Sequence, residues 1–226
     1  MSKIQVLKTR NLNEEILEFA QKHKNEADFD EKFATFLEEK SRWLRIHSVE
    51  YSTGNRTSCW TYASRKKTPN SGVLKADAVV IVPFVKQDDR FKLVMIKEFR
   101  VPISGYEFGF PAGLYDHNET AEEVARRELR EETGLEIDEI IHVSPPVVSS
   151  AGMSDESIVY VFCRCSGEPH TDGNEESEDI QVQFLDAQEI DNFLQTNTDA
   201  ISAKAYPFLM MFEIIQDKMS QNRKKM

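Results

Sequence analysis

Cysteine is scarce in this chain. Cys59, Cys163 and Cys165 are an odd set with no C-x-x-C pair. That argues against a disulfide framework and against a cysteine-based zinc site. Cys163 and Cys165 stand two apart on an apparent strand, so they share a face and read as ordinary thiols. Long apolar runs are missing too. None approaches the roughly 18–20 residues that a membrane span needs. The opening stretch MSKIQVLKTRNLNEE has no signal-peptide core. Basic residues are outnumbered, 28 against 39 acidic ones, giving a net charge of −11. Such a chain repels nucleic-acid backbones and anionic membranes. The expectation is a soluble, reducing, cytoplasmic protein with no nucleic-acid and no membrane partner. A site for a phosphate-bearing ligand would need local arginines or metal ions.

What is present suffices for a sizeable core: 226 residues, 40% of them hydrophobic. Residues 12–24 and 28–41 show helical spacing, with Phe33, Phe36 and Leu37 on one stripe. Two strand-like runs, 43–52 and 58–64, flank TGNRT, a Gly-Asn turn that predicts a hairpin. ADAVVIVPFV at 76–85 reads as a strand buried on both faces, followed by another at 91–98. A loop with Pro102, Gly105, Gly109, Pro111 and Gly113 leads to a helix over 121–133. Further strands are expected near 139–144, 157–164 and 180–185. Helices are expected over 187–195 and 199–219, with Pro207 starting or kinking the last. Strands with interspersed helices predict an α/β layered domain around a mixed sheet.

The helix at 121–133 poses a physical problem. Thr120 and Glu123 have capping-box spacing, and Gly134 suits its end. At 100° per residue, Glu132 and Glu131 fall within about 60° of Glu128. Ala121, Val124 and Ala125 share that sector, and Leu129 borders it at about 100°. Glu123, Arg126 and Arg130 lie opposite. Three carboxylates on a packing face are costly unless paired or metal-bound. Pairs such as Glu123–Arg127 and Arg127–Glu131 would serve a solvated helix. An oxygen-ligand site for Mg²⁺ or Mn²⁺ suits hard cations, with Glu128 and Glu132 one turn apart.

Gly113, Glu119, Arg127-Glu128-Leu129, Glu131-Glu132 and Gly134-Leu135 match every position of the pattern G-x5-E-x7-R-E-U-x-E-E-x-G-U, where U is a bulky aliphatic. On these residues the chain resembles the Nudix superfamily. The resemblance implies the Nudix fold, a mixed sheet sandwiched between helices (α/β/α). It implies metal-dependent hydrolysis of a nucleoside diphosphate linked to another group. It also implies Glu128 and Glu132 as metal ligands, Glu131 beside them, the Ala112 carbonyl as a further ligand, and Arg127 orienting a carboxylate. Glu119 is expected to fix the loop or the helix start.

Flanking stretches narrow the likeness. KEFRVPISGYEFGFPAGLYD is similar to the ADP-ribose pyrophosphatase group, with Arg100 at the arginine that contacts the diphosphate. WLRIHSVEYSTGNRTSCWTYASR resembles that group's N-terminal hairpin. There the resemblance implies base stacking by Trp43 and Trp60, a basic contact from Arg65, and exchange of hairpins in a homodimer. It thus divides the chain into 1–70, an N-terminal extension of helices and hairpin, and 71–226, the catalytic domain. SSAGMSDES carries Ala151 where relatives have a proline, and Gly109 stands where many have a glutamate. Those departures leave ADP-ribose and other nucleoside diphosphate sugars both open. In the acidic run DGNEESED, Glu178 best matches the catalytic base, with Glu176 and Glu175 as rivals. A non-catalytic Nudix ligand sensor and a hydrolase of mRNA caps or nucleoside triphosphates are the competing functions.

Overall fold

The computed structural model describes residues 12–40, 43–68, 75–87, 90–116, 118–173 and 179–212. Contacts divide them into two units. The smaller comprises 12–68 and 148–156. Its apolar stripes close a helical hairpin, α1 (Leu12–His23) against α2 (Phe29–Lys40). Phe19 stacks on Phe36 with ring centroids 4.3 Å apart, and Lys40 pairs with Glu15. The predicted hairpin is β1 (Arg45–Thr53) with β2 (Arg56–Ser64). Thr53 faces Arg56, so only Gly54 and Asn55 turn the chain. Gly54 has φ +60°, which a leading glycine supplies without strain. The 148–156 segment docks on the end of β2, where the Ala63 N–H donates to Met153 O at 2.8 Å.

The larger unit is a mixed sheet. Its strands are β3 (Ala78–Gln87), β4 (Arg90–Arg100), β5 (Gly105–Gly109), β6 (Ala112–Leu114), β7 (Glu136–Val143), β8 (Val147–Val148), β9 (Ser157–Ser166), β10 (Ile180–Leu185) and β11 (Ala200–Ile201). The main order is β11-β5-β4-β3-β9-β7, with β10 also on β4 and β6 also on β3. β3 runs parallel to β9 and antiparallel to β4. As its β-branched run predicts, β3 is buried on both faces. Val79 and Ile81 meet α3 (Ala121–Thr133) through Val124, Ala125 and Leu129. Val80, Val82 and Phe84 meet the other layer, α4 (Ala187–Thr196) and a helix over 206–212. The sheet is thus sandwiched between helices, as expected. Cys163 and Cys165 sit in the α3-side core. Burial pushes the Cys165 thiol up to about 12 and Cys163 upward as well, so both stay protonated and inert.

Two predicted segments differ. The glycine- and proline-rich stretch after Arg100 holds β5 and β6 as well as a 3₁₀ turn at Val101–Ile103. Its glycines lower strand propensity, but pairing with β4 and β3 overrides it. The last helix does not begin at 199. Ala200 and Ile201 instead add a parallel strand to β5. Pro207 stands in the first turn of the helix that follows, where its missing N–H costs nothing. The remainder of the predicted 199–219 helix, beyond 212, lies outside the described residues. Among the described residues, no helix is long and apolar enough to cross a membrane.

Candidate active site

α3 begins and ends as its sequence requires. The Thr120 hydroxyl accepts from the Glu123 N–H, and the Glu123 carboxylate accepts from the Thr120 N–H at 2.8 Å. Gly134 closes the helix at φ +74°, its N–H donating to Arg130 O. The helix turns Val124, Ala125 and Leu129 into the core and carries Glu132 in with them. Glu132 is only 5% exposed. Its Oε2 accepts from the Ala112 N–H at 3.2 Å, which ties α3 to the start of β6. The Glu128 side chain is largely buried and that of Glu131 about half exposed.

These groups line one cleft of about 420 Å³, together with Gly113, Leu114, Asp116, Arg127 and Gly173. Gly113 has a steric role that the motif alone does not reveal. A β-carbon there would fall 1.7 Å from Glu128 Oε1. The absent side chain is the space in which the Glu128 carboxylate lies. Gly173 makes a similar approach, since its β-carbon would meet the Glu131 backbone oxygen at 2.8 Å. Sequence reasoning missed Leu114, Asp116 and Gly173 as walls of the cleft. Gly173 gave no signal beyond standing in a turn-like D-G-N stretch.

Arg127 is the hub of the cleft. Its guanidinium grips Glu119 with two parallel bonds, Nε to Oε1 and Nη2 to Oε2, both 3.0 Å. It also donates to Glu128 Oε1 at 2.5 Å, to Leu114 O at 3.2 Å and to Glu131 Oε2 at 3.4 Å. The Glu119 bonds, followed by that to Glu128, raise the Arg127 pKa and keep it charged. Arg127 and the Asp116 N–H in turn hold Glu119 below the usual carboxylate range.

The donor set fits a divalent cation in kind. Every candidate donor is a hard oxygen, and three negative charges share one wall. The glycine cradle at 113 admits a carboxylate where any side chain would fill the space. Among the described residues, no three His, Cys, Asp or Glu side chains already converge as an ion cage. Glu128 is drawn to Arg127 instead. Glu128, Glu132 and the Ala112 carbonyl would hold an ion here, with Glu131 alongside.

The other predicted residues lie elsewhere. Arg100, at the end of β4, does not line the cleft. Its Nη1 donates to Glu98 at 2.8 Å and its Nε to Glu107 at 3.2 Å. Trp43, Trp60 and Arg65 belong to the smaller unit. Trp43 is 72% exposed and Trp60 is 50% exposed, and Arg65 pairs loosely with Glu156 at 3.8 Å. Glu175, Glu176 and Glu178 lie outside the described residues.

A model of the NUDIX domain matches residues 74–209. The chain belongs to the Nudix family. Putative nudix hydrolase 2 of Caenorhabditis elegans is 28% identical over 163 residues, covering 72% of this chain and 70% of that protein. ADP-sugar pyrophosphatase of Mus musculus is 28% identical over 171 residues, 74% of this chain and 76% of its own length. A crystal structure of an ADP compounds hydrolase superposes with a TM-score of 0.62 at 23% identity, covering 79% of this chain and 89% of that one. That likeness shows that the Nudix chain shares its fold.

Proposed function

We propose that this Nudix pyrophosphohydrolase cleaves the diphosphate of ADP-ribose or a related nucleoside diphosphate sugar, using Mg²⁺ or Mn²⁺. The products are a nucleoside monophosphate and a sugar phosphate. The observation that carries the reading is one cleft walled by Glu128, Glu131, Glu132 and Ala112 together. The name of the mouse relative, an ADP-sugar pyrophosphatase, supports the substrate class. When bound, such ions would neutralise charge on the diphosphate and lower the pKa of the attacking water. Glu128 and Glu132 would hold them with Glu131 in support, and Arg127 keeps Glu128 and Glu119 aligned. Glu178 is the candidate base, with Glu176 and Glu175 as rivals. Arg100 meets the substrate's diphosphate, Arg65 supplies a further basic contact, and Trp43 and Trp60 stack on the base, as exposed indoles can. We place residues 1–70, which carry Trp43, Trp60 and Arg65, as the extension that meets the base in a homodimer, and 71–226 as the catalytic domain.

A phosphatase-coupled assay with Mg²⁺ over ADP-ribose, UDP-glucose, GDP-mannose and dinucleotides tests the proposal. Turnover of ADP-ribose or another nucleoside diphosphate sugar supports it, and no turnover of any diphosphate refutes it. Glu132→Gln should lower kcat more than about hundredfold while the circular dichroism stays native. Activity near wild type would remove Glu132 from the metal site.

A further inference from the structure

β4 and β5 place two carboxylates face to face. Glu98 and Glu107 are direct partners in the antiparallel ladder, so both point to the same side of the sheet. Counting along β4 by twos, Val94, Ile96, Glu98 and Arg100 form one row. Val94 belongs to the core beneath α3, so the row lies on the α3 side of the sheet. Like charges directly opposite each other destabilise a ladder unless something bridges them. Arg100 is that bridge, with Nη1 on Glu98 at 2.8 Å and Nε on Glu107 at 3.2 Å.

The geometry of the bridge is informative. Arg100 comes last in its strand, before the Val101–Ile103 turn, and its side chain is 45% exposed. The two carboxylates are far less exposed, at 15% and 27%. The half-buried partners therefore fix a more exposed cation. They occupy the Nε and Nη1 edges of the guanidinium, while Nη2 has no protein partner among the described residues. A lone flexible arginine would sweep many rotamers, and holding it at two nitrogens removes that freedom before a ligand arrives.

We infer that Glu98 and Glu107 are positioning residues that preset Arg100 to receive a diphosphate oxygen on its Nη2 edge. The inference rests on the proposed function for the identity of the ligand. Neither glutamate touches the substrate. Each acts through Arg100, and Glu107, the more exposed partner on the short strand β5, is the one to change first.

A double-mutant cycle tests it. The variants are Glu107→Gln, Glu98→Gln, Arg100→Ala and each glutamine change combined with Arg100→Ala. The readouts are the affinity for a non-hydrolysable methylene analogue of ADP-ribose, measured by calorimetry with Mg²⁺, together with KM, kcat and Tm. Glu107→Gln should weaken analogue binding and raise KM by about tenfold, with kcat within about twofold of wild type. In the Arg100→Ala background the same change should have no further effect. A purely structural clamp would lower Tm and leave affinity and KM alone, and that result overturns the inference. So does an undiminished Glu107→Gln effect without Arg100, or a wild type that does not bind the analogue. A wild type that binds the analogue yet hydrolyses no diphosphate would sink the proposed reaction while the cycle still decides the role of the two glutamates.

Discussion

At position 113, the smallest side chain makes room for a charged one. A β-carbon there would overlap the Glu128 carboxylate, whereas at Gly109 it would only touch the Ser202 β-carbon at an ordinary 3.6 Å. Neither glycine has a positive φ, so the difference is steric alone. Gly113→Ala should lower kcat/KM at least about tenfold with Tm almost unchanged, because it moves a candidate ligand and leaves the core alone. Gly109→Ala should stay near wild type in the same assay. The three box glutamates were legible in the sequence, since helical spacing gathers them on one side of α3, although only Glu132 is buried there. The steric link from Gly113 to Glu128 was not, because it depends on a rotamer and on the approach of a loop. Glu98 and Glu107 were equally hidden. Their pairing depends on the register of β5, a strand that its glycines disguised.

Among the elements, α3 is the one whose formation decides whether the cleft exists. Its N-terminus relies on the reciprocal bonds of Thr120 and Glu123. Thr120→Ala removes the side-chain acceptor for the Glu123 N–H and should cost about 1 kcal/mol. In a chain of this length that corresponds to a fall in Tm of about 2–4 °C by calorimetry. An unchanged Tm would mean that water or a neighbouring group replaces the cap. Strongly patterned elements were readable beforehand. α3 carries both capping signals, β3 is a continuous β-branched run, and β10 spans the predicted residues. Short elements that exist only through their neighbours were not readable. β6 is three residues held on β3, and β11 is two residues held on β5. Neither carries a periodic signal long enough to register.

For the molecule as a whole, the hairpin of the smaller unit raises the question of assembly. Val49, Tyr51 and Trp60 are exposed, and the first and last of these are ladder partners. An isolated two-stranded ribbon with such a surface is marginal by itself. In the homodimer proposed above, light scattering should give twice the chain mass of 26.0 kDa. A single-chain mass at micromolar concentration would refute that assembly. Finally, the sheet has a temporal consequence. Its central strand β3 is joined to β9, and the Ser157 N–H that donates to Asp77 at the start of that pairing reaches across 80 residues. α3 can coil early from its own capping signals, but the walls of the cleft meet only after this distant closure. Refolding should therefore show helical signal before turnover. Catalytic recovery should coincide with the slow protection of β3 and β9 amides in pulsed hydrogen exchange. Activity that returned with the first helical phase would mean that the sheet closes no later than the helix forms, and would refute this order.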